Sequence, residues 1–324
     1  MLVSVLLFAV GLVLLIKGGD WFVDGATGLA KRFNLPDIVV GATVVSIGTT
    51  LPEVMVSTTG ALAGSGAMAY GNAIGSIICN TSLIAAISIT CNPGPVNVKS
   101  MKTPAIFFFL SAAIYCMAAY GLGTFPRWLG FVMLTIFVIY MVMTVRNGLK
   151  NPDSAAEEEE EDSKPKALWQ ELLLLIIGAA VIAVGADLLV EHGQVIAIGL
   201  GVPETVVALL FVALGTSLPE LVTTITSLKK GRASLGVGNV IGANIFNLVL
   251  VSGVAVSLAP FDVPVENTLL NTGLNLSLVF DIPVMLGVMS LMIFPALAKK
   301  KLSRWQGIAL LCIYAAFCVC QFTL

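Results

Sequence analysis

Charge is scarce in this sequence. Of its 324 residues only 11% are Asp, Glu, Lys or Arg, against 57% hydrophobic, and the mean hydropathy is +0.98. A soluble globular domain carries about 25% charged residues, so a water-soluble fold is excluded and the chain reads as an all-α integral membrane protein. The net charge of −2 gives no reason to expect nucleic acid. Histidine is nearly absent. The single copy, His192, is expected in an outside loop, and no HExxH occurs, so neither a metalloprotease site nor a Ser–His pair at membrane depth is available. The six cysteines (Cys79, Cys91, Cys116, Cys312, Cys318, Cys320) show no metal-ligand spacing and read as small buried hydrophobes. No basic segment precedes Leu2–Ile16 and no small-residue cleavage pattern follows it, so it is kept as a span rather than a leader.

Long apolar runs are what the chain has. A span needs about 20 mostly apolar residues, and on that rule ten helices are expected, near 2–19, 37–63, 70–91, 104–121, 127–146, 168–189, 203–228, 235–258, 280–298 and 304–322. The second and seventh each contain a proline and are expected to kink or break. With the N-terminus outside, 16 of the 17 Lys and Arg fall in inside loops or helix ends, and only Arg127 falls outside. The positive-inside rule then places both termini outside and the polar linker in the cytoplasm of a multi-pass cell-membrane protein.

That linker, "NPDSAAEEEEEDSKPK" from Asn151 to Lys166, separates five helices from five. A shift of 167 residues lays the halves over one another without a gap for more than sixty positions. Asp20 meets Asp187, Pro36 meets Pro203, and Asp37 meets Glu204. "GTTLPE" (Gly48–Glu53) meets "GTSLPE" (Gly215–Glu220), and "GNAIGSIICN" (Gly71–Asn80) meets "GNVIGANIFN" (Gly238–Asn247). The expected organisation is a first repeat over 1–150 with its motif at 38–80, a linker over 151–167, and a second repeat over 168–324 with its motif at 205–247. An odd number of helices per repeat makes the copies point in opposite directions, the plan of secondary transporters with a site at the midplane.

Glu53 lies within a run, Ile38–Ala63, that holds no other charge. A lone carboxylate there costs roughly 2.5–3.5 kcal/mol on insertion scales. Inverted symmetry can bring Glu53 and Glu220 to one point, where both ionise only with a cation between them. Oxygen ligands alone suit a hard cation, calcium above all. Pro52 and Pro219 offer no N–H to the carbonyls of Gly48 and Gly215, which can then face a cavity. Thr49, Thr50, Thr216 and Ser217 lie three or four residues before the glutamates on roughly the same face. Asn72, Ser76 and Asn80 stack at four-residue spacing, and Asn239, Ala243 and Asn247 repeat the pattern with one hydroxyl missing. Gly71 with Gly75, and Gly238 with Gly242, permit close helix approach. The remaining acids read as ordinary. Glu157–Asp162 is a solvated linker; Asp20, Asp24, Asp187 and Glu191 sit at helix ends in the interface, and Asp281 faces the outside interface.

These two motif pairs resemble the alpha repeats of the calcium/cation antiporter superfamily, the sodium/calcium exchangers, and most closely its prokaryotic inner-membrane branch. The resemblance implies alternating access in which sodium entry drives calcium out. It implies a central calcium site from Thr49, Glu53, Thr216 and Glu220. Flanking sodium sites would add Ser76 and Ser217 with the carbonyl of Ala213 on one side, and Thr50 with the carbonyl of Ser46 on the other. Asn80 and Asn247 fill the remaining central polar positions. Sodium and calcium are transported ions, no cofactor is implied, and the unit is expected to work as a monomer in the lipid bilayer. Ala243 stands where relatives often carry serine, which bears on sodium stoichiometry. Asn247 stands where potassium-dependent relatives carry an acid. The alternatives are a proton-coupled calcium exchanger on the same fold and, of another class, a passive cation channel.

Overall fold

The computed structural model describes residues 2–150, 167–200, 215–264 and 275–323. Among these residues nine helices are long and apolar enough to cross a membrane. In chain order they are α1 (Leu2–Phe33), α2 (Asp37–Leu62), α3 (Gly66–Cys91), α4 (Val98–Leu122), α5 (Arg127–Lys150), α6 (Leu168–Gly199), α8 (Ala233–Leu258), α9 (Ser277–Lys299) and α10 (Arg304–Thr323). Between α6 and α8 lies α7, Leu218–Lys229, the C-terminal part of the seventh expected span. The rest of that span, with Pro203, Glu204 and Ala213, lies outside the described residues, as does the linker acid run Glu157–Asp162. The architecture of the described residues is the expected one: an almost wholly helical membrane protein, with ten helices in two inverted halves.

The inversion is visible where the halves meet. α1 and α6, equivalent by repeat, pack side by side along their length. A Cβ added at Gly11 would lie 2.9 Å from the carbonyl oxygen of Gly185, and one at Gly25 would lie 2.7 Å from that of Glu171. Rising numbers on α1 meet falling numbers on α6, so the helices are antiparallel. Two short strand pairs tie loops of opposite halves together. β1 (Gly94–Pro95) pairs with β4 (Lys301–Leu302), and β2 (Thr124–Phe125) pairs with β3 (Phe261–Asp262), both antiparallel. Each pair joins loops that the alternation of spans puts on the same side.

α1 and α6 differ from expectation at their ends. Helices ending near 19 and 189 were expected from the onset of charge, yet both elements run on for several turns, to Phe33 and Gly199. At about 1.5 Å per residue, 32 residues reach about 48 Å, more than the roughly 30 Å hydrocarbon core. The acids do not stop the helix because they are solvated or paired. Asp20 and Asp24 lie within α1, at 3.7 and 2.6 Å from Lys230 Nζ. Asp187, Glu191 and His192 are likewise helical residues of α6, so the outside loop expected for His192 does not exist at that position. Arg32 pairs with Glu171 at 2.9 Å and Arg232 with Asp37 at 3.2 Å. These pairs gather at the end where α1 finishes and α2 and α6 begin.

The two prolines act differently. α2 continues through Pro52, and its irregularity is a π-helical stretch at Gly41–Val45, before the α-helical Ser46–Leu62. In the second half Thr216 and Ser217 are turn residues, α7 begins at Leu218, and Pro219 sits in its first turn. There its missing N–H has no helical partner to lose.

Candidate functional site

α2, α3, α7 and α8 enclose a polar centre inside an apolar core. Side-chain oxygens are placed there by helix periodicity: Ser46, Thr49, Thr50 and Glu53 on α2, Asn72, Ser76 and Asn80 on α3, Glu220 on α7, and Asn239 and Asn247 on α8. Asn80 and Asn247, equivalent by repeat, each open a π-helical stretch (Asn80–Ala85 and Asn247–Val251). Such stretches are frequent at functional sites. α8 reaches α2 through its glycines. A Cβ at Gly238 would collide with the Ile38 carbonyl, and one at Gly242 with Ser46 Oγ and Ala42. For Gly71 and Gly75 the segment that the repeat would set against them, 205–213, lies outside the described residues.

Glu53 and Glu220 are both 0% exposed. Thr50 Oγ1 donates to Glu220 Oε1 at 3.4 Å across the two halves. Thr49 Oγ1 donates to Asn239 Oδ1 at 3.1 Å, and its equivalent by repeat, Thr216 Oγ1, donates to Asn72 Oδ1 at 3.3 Å. Asn72 Nδ2 donates to the Glu53 carbonyl at 3.3 Å and to Ser57 Oγ at 2.8 Å. Ser46 Oγ lies 2.9 Å from the Asn239 carbonyl oxygen and 2.8 Å from that of Gly41.

The symmetry is broken at one contact. Thr50 reaches Glu220, but its counterpart Ser217, a turn residue, makes no bond to Glu53. Among the described residues both carboxylate oxygens of Glu53, Oε2 of Glu220, Oγ of Ser217 and both the oxygen and the nitrogen of the Asn80 and Asn247 amides are buried without a hydrogen-bond partner. An unpartnered buried polar group costs about 1–3 kcal/mol, more when charged, so this many acceptors in one place call for a cation. Hard-cation chemistry fits a donor set made of carboxylate, hydroxyl and amide oxygens.

The expected residues are thus distributed as follows. Ser46, Thr49, Thr50, Thr216 and Glu220 are joined by hydrogen bonds across the halves or to Asn72 and Asn239. Glu53, Asn80, Ser217 and Asn247 are buried in the same helices, their side-chain oxygens unpartnered. Ser76 is buried on α3, and Ala243, with no exposure, is buried on α8. Asn72 and Asn239 were not among the expected ligands. Their recurrence one turn before Ser76 and Ala243 was the only sign of them in the sequence.

The sodium/calcium exchanger protein family matches residues 3–146 and 171–323, nearly the whole of both halves. The chain belongs to the sodium/calcium exchanger family. It is similar to the membrane protein MJ0091 of Methanocaldococcus jannaschii, 35% identical over 95% of this chain and 94% of that one. It is also similar to the sodium/calcium exchanger MaX1 of Methanosarcina acetivorans, 29% identical over 99% of both. Among solved structures, the sodium-calcium exchanger NCX_Mj superposes with a TM-score of 0.78 at 33% identity, covering 97% of each chain. As a sodium/calcium exchanger family member it is a membrane antiporter for cations, with sodium and calcium as substrates of the family, and not an enzyme.

Proposed function

We propose that this exchanger couples sodium entry to calcium exit by alternating access at one central site. Glu53 and Glu220 supply two negative charges to a divalent ion, and Thr49 and Thr216 complete the calcium shell with hydroxyl oxygens. Sodium ions share the carboxylates, with Ser76, Ser217 and the Ala213 carbonyl on one side, and Thr50 with the Ser46 carbonyl on the other. Asn80 and Asn247 line the middle. The carrying observation is the set of buried, unpartnered oxygens gathered around two repeat-related glutamates.

Alternating access draws support from the unequal halves. Near-identical motifs run as continuous helix through Glu53 and carry two turn residues before Glu220. An inverted pair that exchanges those two conformations would open to the opposite side. The unit works as a monomer in the cell membrane, with both termini outside and the linker 151–167 in the cytoplasm, the orientation that the basic residues favour. Calcium-45 uptake into proteoliposomes tests the proposal. Uptake driven by an outward sodium gradient, and absent without one, supports it. Uptake that follows a proton gradient and ignores sodium establishes the proton-coupled alternative. Flux that persists with no counter-ion gradient establishes a channel.

A further inference from the structure

A hydroxyl that ligates a cation must offer a lone pair, so its single proton has to point elsewhere. Helix hydroxyls usually send that proton to the carbonyl one turn back. In this fold Thr43, Thr59, Ser82, Thr90, Ser111 and Thr135 all do so, to the carbonyl four residues earlier. Thr49 does not. Thr49 donates across the interface to Asn239 Oδ1 at 3.1 Å, and Thr216 to Asn72 Oδ1 at 3.3 Å. These two bonds are images of one another under the 167-residue repeat, although Thr49 is helical and Thr216 is a turn residue.

The amide orientation of Asn72 is held for this task, while Asn239 Nδ2 is buried without a partner. Asn72 spends its N–H groups on the Glu53 carbonyl and Ser57 Oγ, which leaves Oδ1 facing Thr216. Asn239 presents Oδ1 to Thr49 and also to Ser46, 3.2 Å away. We propose that Asn72 and Asn239 are positioning residues that hold the protons of Thr216 and Thr49, so that both threonine oxygens face the central cation as acceptors only. Neither asparagine touches the ion. Each fixes the rotor of a ligand supplied by the opposite half, and Asn72 also fixes the backbone of Glu53. Preorganisation of this kind raises affinity by removing the cost of ordering a ligand on binding. It rests on the reading of Thr49 and Thr216 as calcium ligands.

The test is a double-mutant cycle on reconstituted full-length protein, read as the calcium concentration for half-maximal calcium-45 uptake and, separately, as the maximal rate. Asn239→Leu, with the same branching at Cγ but no acceptor, is expected to raise that concentration about tenfold, the scale of one hydrogen bond, with a smaller effect on the maximal rate. In a Thr49→Val background the Asn239→Leu change should add nothing, because the rotor it controls is gone. Additive effects in the cycle would overturn the inference and leave Asn239 a packing residue. A different result sinks the underlying ligand assignment instead: Thr49→Val with unchanged calcium dependence. Should Asn239→Leu not fold, Asn72→Leu with Thr216→Val runs the cycle at a half-buried position; because Asn72 also bonds the Glu53 carbonyl and Ser57, a residual loss is expected in the Thr216→Val background, and a loss no smaller there than in wild type would overturn the inference.

Discussion

Glu53→Gln tests the centre of the molecule most directly. The substitution keeps side-chain shape and removes one of two negative charges that face a divalent ion. Removing one partner from a buried charge arrangement costs about 3–5 kcal/mol. At 1.4 kcal/mol per decade that is a loss of roughly a hundredfold to a few thousandfold in calcium affinity. Glu53 should sit at the upper end. Neither of its carboxylate oxygens has a protein partner, so the glutamine amide would point two donors toward the cation. Glu220→Gln should cost less, because Glu220 Oε1 already accepts from Thr50 at 3.4 Å and a glutamine oxygen can keep that bond. Exchange of calcium-45 in proteoliposomes should fall to background in the first variant and at least a hundredfold in the second. Thermal unfolding separates this loss from misfolding. Without calcium both variants should be at least as stable as wild type, since one of two mutually repelling buried charges is gone. Wild type in calcium at a hundred times its Kd gains about 2.7 kcal/mol, and that calcium-dependent rise in unfolding temperature should vanish in Glu53→Gln. Near wild-type exchange in either variant, or an intact calcium-induced thermal shift in Glu53→Gln, would refute the central-site reasoning.

Three further outcomes are expected. Ala243→Ser should lower the sodium concentration for half-maximal exchange with little change in calcium dependence, and an unchanged sodium response would show that position 243 does not face a sodium site. Serines at Glu157–Glu161 should leave transport kinetics within about twofold, because exposed charges are screened over roughly 8 Å at physiological salt; a tenfold change in calcium dependence would make the run a sensor. Arg32→Leu leaves Glu171, itself 2% exposed, without its 2.9 Å partner. It should lower the unfolding temperature in detergent by a cost of about 1–3 kcal/mol, reduced from the fully buried value by the 32% exposure of Arg32. Adding Glu171→Gln should recover most of the loss, and no recovery would mean that Arg32 acts through packing rather than charge.

Much of this molecule was legible in one dimension because charge is so rare in it. A single carboxylate in a long apolar run has to be compensated, which marked Glu53 and, through the 167-residue repeat, Glu220. The count of helices and the inversion follow from hydropathy and an odd number of spans per half. Other features were out of reach. Hydropathy senses the onset of charge and not the continuity of backbone hydrogen bonds, so Asp20 and Asp187 seemed to end helices that in fact run on past them. The positions of Asn72 and Asn239 were visible, yet their bonds to Thr216 and Thr49 exist only because helices of opposite halves pack within hydrogen-bonding distance. "GTTLPE" and "GTSLPE" make the sharpest contrast. They differ by one hydroxyl-bearing residue for another, and one lies in a continuous helix while the other carries two turn residues. Local propensity cannot separate two such similar strings. The difference comes from what each packs against, and tertiary structure alone decides which motif stays helical throughout.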